Sequence, residues 1–89
     1  NKMLTLGRQV GEGVYILIPN RTPIYVKYVW TRRRGVATLG FQGNDEVVFL
    51  RDECIGEISR ELLTKIKEDR VITSEMFELY DLNKRNIGR

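Results

Sequence analysis

The stretch Glu46-Val47-Val48-Phe49-Leu50-Arg51-Asp52-Glu53-Cys54-Ile55 is where the chain changes period, and its reading decides the fold. Before Arg51 the apolar residues come in short runs bounded by Gly, Pro, Asn and Asp, the pattern of strands and tight turns. After it they fall at Ile55, Ile58, Leu62 and Ile66, at spacings of three, four and four. That is a single apolar stripe along a helix. Glu46–Leu50 therefore reads as the last of a set of strands. Asp52 and Glu53 stand at the positive end of the helix that follows.

Working back from this junction, four more strands are expected. They are Met3–Val10, Val14–Ile18, Ile24–Thr31 and Val36–Phe41. Gly11-Glu12-Gly13 supplies a turn, Pro19–Pro23 a loop, and Gln42–Asp45 another turn. Ile24–Thr31 is the clearest strand, rich in β-branched and aromatic residues. Its alternation puts Ile24, Val26, Tyr28 and Trp30 on a core face, and Tyr25, Lys27, Val29 and Thr31 on the other. The aromatic residues have a second reading as stacking platforms for single-stranded nucleic acid, with Tyr25 the better placed for exposure. Arg32-Arg33-Arg34-Gly35 is a basic hairpin tip, either a phosphate grip or a solvated turn.

Forward of the junction, Asp69–Thr73 interrupts the helical pattern. Thr73 or Ser74 is placed to cap a second short helix bearing Met76, Leu79 and Tyr80. Asn83–Arg89 is polar and is expected to fray. Two units are thus expected: residues 1–58, a five-stranded domain, and residues 59–89, a helical extension. The extension either packs back on the strands or across the dimer, docks a protein partner through residues 59–82, or acts as an acidic flap over the basic edge.

With 89 residues and a net charge of +3, the chain has room for one small domain. Its core is thin enough that a dimer partner is expected. No apolar run approaches the roughly 20 residues of a membrane helix. No secretory signal is visible, and the single cysteine fits a reducing, cytoplasmic compartment. Without histidine there is no Ser-His-Asp or Cys-His arrangement and no His-ligated metal. Cys54 reads as an inert buried thiol, and no cofactor is expected. Gly11-Glu12-Gly13 is followed by strand, so it is no dinucleotide fingerprint. Binding rather than catalysis is the expected activity. The charge is also uneven. Residues 1–44 hold seven basic groups against Glu12 alone, a net of +6, while residues 45–89 net −3. A basic half suggests a polyanion partner.

Three strings resemble the carbon storage regulator (CsrA/RsmA) family. Met3-Leu4-Thr5-Leu6-Gly7-Arg8-Gln9-Val10-Gly11-Glu12 is similar to its M-L-x-L-T-R-R-x-G-E opening. Glu46–Ile55 is similar to its E-V-x-V-H-R-E-E-I segment, and Leu39-Gly40-Phe41 to its I-G-V. The resemblance covers residues 3–58. It implies a small five-stranded antiparallel sheet or barrel in an intertwined, strand-swapped homodimer. It also implies a translational regulator that grips GGA-type motifs in hairpin loops of mRNA leaders. By position, Leu6 and Arg8 on the first strand, and Phe49, Leu50 and Arg51 on the last, would contact RNA. Arg51 takes the family's principal arginine position; its other reading is a pair with Glu53. Arg32, Arg33 and Arg34 would add contacts of this chain's own. The chain departs from the family at Gln9, Thr38, Asp45 and Leu50, where polar or basic character is lost. A rival reading keeps the fold but makes it a protein-interaction module, a decoy or a structural subunit with weakened RNA binding.

Overall fold

A computed structural model describes residues 3–85 and resolves the strand half into two antiparallel sheets rather than one continuous sheet. The chain order is β1 (Leu4–Arg8), β2 (Gly13–Leu17), β3 (Ile24–Lys27), β4 (Ala37–Phe41) and β5 (Val48–Arg51). β1 pairs β4, with Leu6 opposite Leu39 and Arg8 opposite Ala37. The second sheet has the order β3-β2-β5, with Gly13 opposite Lys27 and Val14 opposite Arg51.

The apolar composition of β2 and β5 explains why this sheet lies in the middle. Successive side chains on a strand point to opposite faces. Phe49 and Val14 face β1 and β4, where they pack with Leu6, Leu4, Ile16, Phe41 and Val47. Phe41 and Phe49 meet with ring centroids 5.1 Å apart. Val48, Leu50 and Leu17 face the other way, into a second core with Ile55, Leu62, Ile66, Ile72, Phe77 and Leu82. A strand covered on both faces reads as a continuous apolar run, which is what Val47–Leu50 shows. Each such large side chain withdrawn from water stabilises the fold by about 1.5–3 kcal/mol.

The helix expected after Arg51 is broken in two. A 3₁₀ turn, Asp52–Cys54, leads into α1 (Ile55–Ile58). Ser59 then takes an extended conformation, and its Oγ accepts a bond from Leu62 N at 3.3 Å. Capping at Ser59 restarts the chain as α2 (Arg60–Lys67). The stripe survives the break, because Ile55, Leu62 and Ile66 all reach the same core. Thr73 caps α3 (Ser74–Leu79), its Oγ1 accepting from Met76 N at 3.2 Å. Here the buried residue is Phe77, while Leu79 is 71% exposed, the reverse of its expected role.

The extension packs back on the strands. Asn20 N donates to Ile72 O at 2.8 Å and Ile72 N to Arg21 O at 3.1 Å, which fastens the Pro19–Pro23 loop to residues before α3. Asn83 Nδ2 donates to Asp45 O at 2.8 Å, and Leu82–Arg85 forms a 3₁₀ turn rather than a frayed end. Residues 86–89 of the expected tail lie outside the described residues.

β3 departs from its expected reading. Its ladder stops at Lys27, and Ile24, Val26 and Trp30 are exposed, while Tyr28 is half-buried. β3 is an edge strand, and neither core cluster includes its residues, so alternation there does not mark a covered face.

Candidate nucleic-acid interface

Antiparallel registers collect one end of every strand in the same place. Arg8 closes β1 opposite the start of β4, Gly13 opens β2 opposite Lys27 at the end of β3, and Val14 lies opposite Arg51 at the end of β5. The loop carrying Arg32–Arg34 leads into β4 at this same end. Six of the strand half's basic positions, Arg8, Lys27, Arg32, Arg33, Arg34 and Arg51, therefore converge on one end of the two sheets.

Arg8 is not free there. Alternation along β1 turns it inward with Leu4 and Leu6, and it is 6% exposed. Its Nη1 donates to Glu53 Oε1 at 2.8 Å and to Gly13 O at 3.4 Å. Asp52 Oδ1 lies 3.5 Å from Nη1, and Glu12 Oε1 lies 3.9 Å from Nε. Asp52 Oδ2 in turn accepts from Gly13 N at 2.9 Å and from the Tyr25 hydroxyl at 2.8 Å. Tyr25 stacks on Tyr15 with centroids 4.4 Å apart. A Cβ at position 13 would stand 2.5 Å from the Tyr25 ring, so any larger residue there requires that ring to shift.

The protonation equilibria follow from these contacts. The bond from Arg8 holds the Glu53 carboxyl below its ordinary value, and the same bond raises the Arg8 guanidinium. Partial burial, then the bond to Asp52, pushes the Tyr25 phenol up to about 12.

Of the eight residues nominated from sequence, four have enclosed side chains within one chain. Leu6, Phe49 and Leu50 are core residues, and Arg8 is the centre of an ion-pair cluster. The inward turn of β1 and the double cover of β5 enclose these side chains within one chain. Arg51 is exposed, and Glu53, its alternative partner, is bonded to Arg8 instead. Arg32, Arg33 and Arg34 are also exposed. Among the described residues no carboxylate lies within ion-pair distance of these four arginines. Gly35, at φ 148°, adopts a backbone conformation that side chains disfavour, which lets the arginine loop turn into β4. An open cleft of about 440 Å³ separates this loop from Gln9 and Val10.

No protein-family model, curated protein or solved structure matches the chain.

Two features escaped sequence reasoning. Lys27 joins the basic end only through its register with Gly13. The cluster of Arg8, Glu12, Asp52 and Glu53 joins residues up to 45 positions apart, which no local spacing marks. Among the described residues no group of His, Cys, Asp and Glu is placed to hold a metal ion, and no helix is long and apolar enough to cross a membrane.

Proposed function

We propose that this chain is an RNA-binding translational regulator of the carbon storage regulator type. It works as a cytoplasmic homodimer that grips a GGA-type hairpin loop in an mRNA leader. The observation that carries this reading is the segregation of charge at the strand ends. Lys27, Arg32–Arg34 and Arg51 gather there, while the nearby acids Glu12, Asp52 and Glu53 are drawn onto Arg8. Uncommitted arginines at the end of the sheets suit phosphates, which supply affinity without reading sequence. Sequence selection then falls to backbone groups and arginine against unstacked loop bases. A second copy of the chain is supported by Ile24 and Val26, exposed on the edge strand β3.

A gel-shift titration with a GGA hairpin and a scrambled hairpin of equal length tests the proposal. Preference for the GGA hairpin is expected, with Arg51→Ala losing most of the affinity. Arg33→Ala is expected to lower the salt slope by about one unit. Equal binding of both hairpins at moderate salt would contradict the reading.

A further inference from the structure

We infer that Trp30 is a second contact, which extends the grip of the arginine loop to single-stranded nucleotides that flank the hairpin. This rests on the RNA-binding reading above.

Trp30 is the chain's single tryptophan, and it is 69% exposed. It belongs to neither core cluster, and the nearest backbone anchor is two residues before it. Tyr28 N donates to Glu12 O at 2.9 Å, and Gly11 N donates to Tyr28 O at 2.8 Å. These bonds tie residue 28 to the turn between β1 and β2, and Trp30 follows two residues later. Arg32, Arg33 and Arg34 come next, on a loop standing across an open cleft from Gln9 and Val10. An exposed indole that is followed closely in the chain by exposed arginines suits single-strand binding: the ring stacks a base, and the cations hold its phosphates.

The position also suits a continuing RNA strand. Val26, Val14 and Arg51 lie in one row across β3-β2-β5. Two strand spacings, about 10 Å, separate the outer members of that row. Val14 is buried, so nucleotides leaving a loop held at Arg51 pass around the strand end, where Tyr28 is bonded to the Gly11–Glu12 turn and Trp30 follows. The neighbouring Val10, Val29 and Val36 are exposed as well. An anionic lipid surface would use those valines together with the tryptophan, whereas stacking needs the ring alone, and continuity with Arg51 favours RNA.

Fluorescence and gel-shift titration of the full chain test this, using a GGA hairpin with and without a 3′ or 5′ oligouridine flank of about ten nucleotides. The flank is expected to tighten binding about tenfold and to quench Trp30 emission. Trp30→Ala should remove the flank's advantage and leave the unflanked hairpin unchanged, while Trp30→Phe should keep most of the advantage. Equal affinity for flanked and unflanked hairpins, or an equal loss on both in Trp30→Ala, would overturn the inference and leave the regulator reading standing. If neither hairpin binds, both fall together. Trp30 emission shielded from iodide in the free protein would mean that a second copy covers the ring, and would overturn it too. So would Trp30-dependent binding to phosphatidylserine vesicles with no effect on the flank.

Discussion

Arg8 is 6% exposed and bonded to Glu53 at 2.8 Å, so its cation is spent inside the protein. Replacing it strands a set of carboxylates that the fold has gathered round it. Arg8→Ala is expected to cost about 2 kcal/mol in urea denaturation, below the loss for a fully buried pair because Glu53 and Glu12 keep solvent contact. Arg51→Ala should leave stability within about 0.5 kcal/mol, since its side chain is exposed. The same cluster sets the pH dependence. Glu53 has a lowered pKa, so its contribution is present above the ordinary carboxylate range and is lost as pH falls through the lowered value. Tyr25 is raised from 10.0 to about 12, so its contribution is full below pH 10 and is lost as pH rises toward 12. Thermal melts across that window should show the alkaline loss in the wild type and a reduced loss in Tyr25→Phe.

The helical elements are part of the core that Val48 and Leu50 enter. Truncation after Ser59 removes Leu62, Ile66, Ile72, Phe77 and Leu82 from against the sheet. The truncated chain is expected to lose cooperative unfolding, as measured by circular dichroism, rather than to gain RNA affinity. Point changes are milder: Leu62→Ala should cost about 2–5 kcal/mol and Phe77→Ala about 3–5 kcal/mol. This inward packing of α2 and α3 also explains what the sequence made legible. The stripe of Ile55, Leu62 and Ile66 showed in the spacing, and so did a cap at Thr73 or Ser74, because both are local. The break at Ser59 did not, since the apolar spacing runs through it unchanged. Phe77 rather than Leu79 faces inward because the turn of α3 is set by contacts with distant residues. β3 misled for a similar reason. Alternation identifies two faces but not whether anything covers them, and at an edge strand nothing in either cluster does.

At the scale of the molecule, charge follows topology. The described chain measures 42 × 29 × 20 Å, with the strand ends that carry Arg8, Lys27 and Arg51 gathered at one end of the sheets. The Pro19–Pro23 loop and the Ile72 bridge lie past the other end of β2. The +6 of residues 1–44 was legible in composition. Its concentration at one end, and the withdrawal of Arg8 from it, required the registers. Affinity for RNA should therefore fall steeply with salt, with a log–log slope of about −3 to −4 if Lys27, Arg51 and two of the loop arginines each displace a counterion. The most direct check is a map of backbone amide shifts on adding a GGA hairpin. Changes are expected at Lys27, Arg51 and residues 31–36, with Asn20, Ile72 and Asp45 unmoved. Shifts centred on those last three, or none anywhere at saturating hairpin, would contradict it.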